Sequence, residues 1–227
     1  MTFMKAVIFA ILLAAVGCTI ANSSSSTDSS ANIADVAPTP PKSAVQSKDL
    51  QTAVFAGGCF WGVEAVFEHV KGVTDVRSGY AGGDKKTAEY ERVSDGDTGH
   101  AESVKVTYDP SKVSYVQLLT VFFSVAHDPT EVNRQGPDTG TQYRSAIFYM
   151  NDDQKKLAVE YIDAINKSKA LPKPVATEVS ALKEFYEAES YHQDYLKNHP
   201  NEPYVVYNDI PKLAALKQKF PDLYIEK

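Results

Sequence analysis

Cys59 follows Gly57 and Gly58 directly and stands where a helix is expected to begin. Unpaired backbone N–H groups and the helix dipole stabilise an anion at such a place. A free thiol has a pKa of about 8.5 and helix N-termini lower it, so the position predicts a thiolate nucleophile at neutral pH. A lone cysteine is more commonly a small buried hydrophobe, but the preceding glycine pair favours the nucleophile. Phe60 and Trp61 follow at once, and Trp61 is the only tryptophan of the chain. Phe60 shares a helix face with Val63 and Phe67. Trp61 points about 100° away around the axis, which leaves it free to line a pocket.

Glu102 shares strand parity with Val104, Val106 and Tyr108, which puts a carboxylate at the end of a buried face. Burial without a cation raises a carboxyl pKa, and a protonated Glu102 is a general acid. Parity alone weighs this evenly against a glutamate curling into water at the strand edge. The histidines carry less. His100, His127, His192 and His199 have no partner at metal-ligand spacing, so no metal site is expected. A cysteine hydrolase with His100 or His192 as its base stays open, because such residues meet only in space.

The elements that must hold these groups follow from periodicity. Thr52 to Ala56 is a short apolar run that ends in the glycine pair, so strand, glycine turn and helix come in succession. His100 to Tyr108 alternates as a half-buried strand, closed by Asp109-Pro110. Ser114 caps a helix carrying Val116, Leu118, Leu119, Phe122 and Phe123, and Tyr143 to Tyr149 reads as a central strand. A long helix starts at Asp152 with Leu157, Ala158, Tyr161, Ile162 and Ile165 inward, and Val175 to Leu182 reads as a further strand. Strands and helices mix without regular βαβ repetition, which predicts an α/β (α+β) two-layer sandwich.

The whole chain bounds what such a site can serve. It has 227 residues, 43% of them hydrophobic and 23% charged, with a formal net charge of -6. That balance supports a packed core, and its sign argues against a nucleic-acid partner, which needs a basic surface. Only Cys18 and Cys59 are available, which excludes a disulfide scaffold. Residues 1–18 have one early positive charge at Lys5 and an apolar run from Ala6 to Val16, the pattern of a signal peptide. Ala15-Val16-Gly17-Cys18 resembles a bacterial lipobox, in which the cysteine is lipidated after cleavage; ordinary cleavage after Ala21 is the alternative. Either way the chain is expected to be exported, to the bacterial periplasm or cell envelope with or without a lipid anchor, or as a soluble secreted protein. Residues 19–48, rich in Ser, Ala and Pro, read as a disordered tether, and residues 49–227 as the folded catalytic domain.

Gly58-Cys59-Phe60-Trp61-Gly62 resembles the signature of the A-type peptide-methionine sulfoxide reductases. Further segments match in the same order: Ser78 to Gly83, Gly99 to Glu102, Tyr108 to Pro110, His127 to Pro129, Gly136 to Ser145 and His192-Gln193. The resemblance runs from about Thr52 to Leu196. It implies a sandwich similar to a ferredoxin-like plait with an irregular C-terminal segment, acting on the S epimer of methionine sulfoxide in proteins or peptides; a monomer is expected. By position it makes Cys59 the nucleophile that takes the oxygen as a sulfenic acid, and Glu102 the acid that protonates that oxygen. It makes Tyr90 and Tyr143 the hydroxyls that bind the oxygen, Phe60 and Trp61 the pocket for the substrate methyl group, and Asp138 an organiser of the site. The resemblance departs at the C-terminus, where many members carry recycling cysteines and Tyr204 to Lys227 has none. With no bound cofactor implied, the sulfenic acid is expected to be resolved by an external thiol, thioredoxin-like, glutaredoxin-like or small.

Overall fold

Ala53 to Ala56 are all closed off from solvent on both sides of the chain, as expected of a central strand. In the computed structural model, which describes residues 32–38 and 49–227, this run is β1 (Gln51–Gly57), and it passes through Gly58 and Cys59 into α1 (Phe60–Glu68). There follow β2 (Val73–Ala81), α2 (Tyr90–Ser94), β3 (Ala101–Tyr108), α3 (Tyr115–Val121), β4 (Arg134–Gln135), β5 (Asp138–Thr139) and β6 (Ser145–Tyr149). The chain ends with α4 (Asp152–Ser168), β7 (Glu178–Ala181), β8 (Phe185–Glu187), α5 (Tyr195–Asn198) and α6 (Ile210–Lys219).

The main sheet has the order β7-β6-β1-β3-β2-β8. Its inner four strands, β6-β1-β3-β2, are each antiparallel to their neighbours, and α1 crosses from β1 to β2. That is the ferredoxin-like plait, extended by β7 parallel to β6 and β8 antiparallel to β2. The two faces are unequal. Phe55 of β1 points to the helices and stacks on Phe67 of α1 at 5.2 Å and on Phe122 at 5.0 Å. The opposite face carries a thin cluster of Val54, Ala56, Ala81, Ala101, Ala146 and Phe148, covered by Leu182 and Phe185. Small residues on that side make the protein two layers rather than three.

Local signals explain the element ends. Ser114 and Gln117 form a reciprocal capping box at α3. Asn151 caps α4 by accepting from the Gln154 N–H, which leaves Asp152 and Asp153 in the positive first turn. Three expectations shift. Tyr143 sits in a 3-10 turn (Thr141–Tyr143) that precedes β6, and the strand expected over Val175–Leu182 is only Glu178–Ala181. The C-terminal segment expected to be irregular contains α6, whose Leu216 is fully buried in the same core as α1.

The expected signal segment 1–18, including Cys18, lies outside the described residues, as does most of the segment 19–48. The described part of the latter corrects the reading of a free tether. Ile33–Val36 form a 3-10 turn capped by Asn32, with Ile33, Val36 and Ala37 packed on the core. The Tyr161 hydroxyl donates to the Ile33 carbonyl at 2.9 Å. Three apolar side chains within five residues supply the contact that the surrounding Ser/Pro composition masks.

Candidate active site

The thiol is placed by a backbone turn open only to glycine. Gly58 has φ +89°, and a Cβ there would stand 2.6 Å from the Gln135 Cβ, so the chain turns from β1 into α1 with no side chain at that point. Cys59 becomes the residue that caps α1 and is only 8% exposed. Glu102 enters from the next strand over. It lies on the helix-facing side of β3 with Val104 and Val106, 3% exposed, and its Oε2 accepts the Phe60 backbone N–H at 3.1 Å. The structure therefore decides the question that parity left even. Burial pushes the Glu102 carboxyl up to about 8, with the charge of Asp138 adding and the Phe60 N–H opposing. At neutral pH the group holds its proton.

The thiol departs from expectation. Burial raises the Cys59 pKa well above its ordinary value, the charges of Glu102 and Asp209 add to the rise, and the Trp61 backbone N–H and Lys212 only partly oppose it. The resting protein thus carries a protonated thiol rather than the thiolate predicted from the helix terminus. Desolvation of a buried ion outweighs the stabilisation that a few backbone N–H groups give at the start of a nine-residue helix.

Cys59, Phe60, Trp61, Tyr90, Glu102, Asp138 and Tyr143 all line one cavity of about 200 Å³. Every residue expected in the domain's site is thereby brought together. Burial raises the hydroxyl pKa of Tyr90 and Tyr143, with the charge of Glu102 adding, so both are donors at neutral pH. Trp61 is fixed from behind: its Nε1–H donates to His192 Nδ1 at 3.1 Å and its ring lies flat on Tyr195 at 3.6 Å. Tyr90 is held by its backbone N–H, which donates to Glu189 Oε1 at 2.9 Å, while Glu189 Oε2 accepts from the Tyr80 hydroxyl at 2.8 Å.

Sequence reasoning missed Tyr204, Asp209 and Lys212. Tyr204 completes the cavity wall and its hydroxyl donates to Asp138 Oδ2. Asp209 is fully buried and its Oδ1 accepts from Lys212 Nζ at 3.1 Å. Both groups press on Gly62, where a Cβ would stand 2.1 Å from Asp209 Oδ1 and 2.6 Å from Lys212 Nζ. One signal was available, the glycine inside an apolar helix pattern at position 62, which marks a close approach. Gly62→Ala is therefore expected to lower stability by about 2 kcal/mol, because displacing a buried ion pair outweighs the roughly 1 kcal/mol of helix propensity that alanine gains. Urea unfolding of the two proteins reads this directly, and an alanine variant as stable as the parent would refute the clash.

Among the described residues no histidine hydrogen-bonds to the Cys59 sulfur. His100 is used by the Gly83 N–H and the Asp84 carbonyl, and His192 by Trp61. His127 lies between the Phe122 carbonyl at 3.0 Å and Ser145 Oγ at 2.6 Å. The arrangement for a cysteine hydrolase is absent from these residues.

A buried thiol and a proton-holding carboxyl group face one aromatic cavity on an α/β plait, an arrangement suited to a cysteine-dependent enzyme. The profile of the family described as peptide methionine sulfoxide reductase matches residues 51–223, and the chain belongs to that family, in its A-type branch. It is accordingly an oxidoreductase that reduces methionine sulfoxide. The chain is 62% identical over 177 residues to peptide methionine sulfoxide reductase MsrA 2 of Mesorhizobium japonicum, covering 78% of this chain and 91% of that protein. It is 54% identical over 176 residues to MsrA 2 of Synechocystis sp., covering 78% of this chain and 82% of that protein. Among solved structures, reduced Mxr1 from Saccharomyces cerevisiae superposes with a TM-score of 0.60 at 34% identity, over 72% of this chain and 90% of that one. Methionine sulfoxide reductase A of Corynebacterium diphtheriae gives 0.59 at 33%, over 73% and 84%.

Proposed function

We propose that the protein reduces the S epimer of methionine sulfoxide in proteins and peptides by oxygen transfer to Cys59, and that an external thiol then resolves the sulfenic acid formed. The observation that carries this reading is the joint exposure of the Cys59 thiol and the protonated Glu102 carboxyl to one cavity walled by aromatic rings. Sulfoxide sulfur is a soft electrophile suited to a thiolate, and its oxygen leaves only once protonated. Glu102 supplies the proton, and the Tyr90 and Tyr143 hydroxyls steady the oxygen as its bond to the substrate sulfur breaks. Phe60 and Trp61 hold the methyl group. The first step balances as thiol plus sulfoxide giving Cys59 sulfenic acid plus thioether, with the methionine sulfur reduced and the cysteine sulfur oxidised.

The second cysteine of the chain is Cys18, in the segment read as an export signal, so the domain has no partner for an internal disulfide. The reductant is then a small thiol or a thioredoxin-like or glutaredoxin-like protein, and no bound cofactor takes part. On the reading of residues 1–18 as an export signal, this repair takes place outside the cytoplasm, in the cell envelope with Cys18 as lipid anchor or, where cleavage follows Ala21, as a soluble secreted protein.

A single turnover tests the proposal. Reduced protein mixed with a peptide carrying the S sulfoxide, with no reductant added, is expected to form about one methionine per enzyme and to leave one oxygen trapped on Cys59. No methionine, or oxygen found elsewhere, would sink it.

A further inference from the structure

Cys59 faces a second cavity, of about 210 Å³, on the other side of the Asp138–Tyr204 hydrogen bond. Asp138 and Tyr204 line both spaces and so form the partition between them. The second cavity is the more polar of the two, with Tyr204 and His127 its aromatic rings. Beyond the partition its walls include Val125, Asp128, Gln135, Asn208 and Lys212.

We infer that this second cavity admits the thiol that resolves the Cys59 sulfenic acid, and that it takes neutral or cationic thiols in preference to carboxylate-bearing ones. The inference rests on the sulfenic acid reading and goes beyond it in giving the resolving thiol its own entry. Displacement at a divalent sulfur proceeds in line, with the incoming thiolate opposite the leaving oxygen. The oxygen arrives from the substrate and is held on the side of Glu102, which lines only the aromatic cavity. The rear of the S–O bond therefore faces away from that cavity, toward the second one. Atoms balance as sulfenic acid plus thiol giving a mixed disulfide between Cys59 and the reductant plus water. A second thiol then releases Cys59 and leaves with the first as a disulfide. The reductant is oxidised and the cysteine sulfur reduced.

The charge preference comes from the walls. Asp128 and Asp138 face this cavity, and its one lysine, Lys212, is already paired with Asp209. A carboxylate entering here meets two aspartates against one lysine that Asp209 already shares, whereas an ammonium group or an uncharged body meets no net repulsion.

The test forms the Cys59 sulfenic acid by one turnover with limiting sulfoxide. Its loss, and the mixed disulfide formed, are then followed by mass spectrometry with thioglycolate, 2-mercaptoethanol and cysteamine, with rates expressed per thiolate present. Cysteamine is expected to react fastest and thioglycolate slowest. Asp128→Asn, which keeps the oxygen that accepts the Thr130 N–H and hydroxyl, is expected to speed thioglycolate about three- to tenfold relative to cysteamine in the same protein. Asn208→Trp, filling the cavity, is expected to slow all three thiols at least about tenfold while the methionine burst stays near one per enzyme. Equal resolution rates in Asn208→Trp and the parent overturn the second entry, and a thioglycolate-to-cysteamine ratio left unchanged by Asp128→Asn overturns the charge preference. Absence of the burst in the parent overturns the sulfenic acid reading itself, so the two failures are distinguishable.

Discussion

Replacing Cys59 by serine is expected to leave a folded protein whose methionine formation falls by a factor on the order of 10⁴ or more. Oxygen transfer needs a polarisable nucleophile that then carries the oxygen, and a serine hydroxyl supplies neither the ionised form at accessible pH nor a stable product. The structure shows why folding survives. Cys59 is a small side chain at a helix cap, and exchanging its S–H for O–H in a site 8% exposed costs about 1–2 kcal/mol. Circular dichroism and a urea midpoint close to the parent's, measured beside the single-turnover assay, assign the loss to chemistry. Methionine formed by the serine variant at more than about a hundredth of the parent rate would falsify the assignment of Cys59 as oxygen acceptor. The raised thiol pKa adds a check on the resting state: alkylation of Cys59 in the free protein is expected to be slow at neutral pH and to accelerate as pH rises, because the thiolate is scarce until a substrate arrives.

Local periodicity shows only part of this site, and Tyr90, Tyr143 and Asp138 come from the family resemblance alone. Glu102 was placed by counting in twos from Val104, Val106 and Tyr108, and the glycine pair located Cys59 at a helix start; both positions hold because strand pleat and helix entry are local events. What stayed hidden needs distance. β2 does not show in the sequence because its register slips between Val73 and Asp75, which breaks the alternation of a regular strand. Tyr204, Asp209 and Lys212 reach the thiol from the far end of the chain, and no spacing in the sequence connects residue 204 to residue 138. The ionisation of Cys59 is hidden for a related reason. Its helix terminus is local, whereas the enclosure that opposes it is built by elements that pack on α1 only in the finished fold.

Glu102→Gln carries the other large effect, because it separates the proton from the geometry. Glutamine is nearly the same size and can still accept the Phe60 N–H through its amide oxygen, so the turn that carries Cys59 keeps its anchor. It cannot give a proton to the sulfoxide oxygen. The rate of the first step is expected to fall about 10²- to 10⁴-fold. The pH profile follows from counting protons. The reactive form, thiolate beside carboxylic acid, holds one proton between the two groups, whereas below about pH 8 the free pair holds two. In the parent, kcat/KM for the first step is expected to climb toward pH 8 and then level. In the glutamine variant that inflection disappears and only the thiol's own, at higher pH, remains. Stability moves the opposite way. The carboxyl pKa is near 4.5 when unfolded and about 8 when folded, so between those values the native state keeps a proton that the unfolded state has released. By linkage the parent loses stability as pH rises through that window. The glutamine variant has no such loss, and its advantage over the parent is expected to grow from near zero at the acid end toward a ceiling on the order of 4 kcal/mol at pH 8. Urea unfolding across that range reads the gain, and the same protein preparations give the rate. A variant that lost activity but showed no pH-dependent gain in stability would mean that Glu102 is not the buried, proton-holding acid of the site.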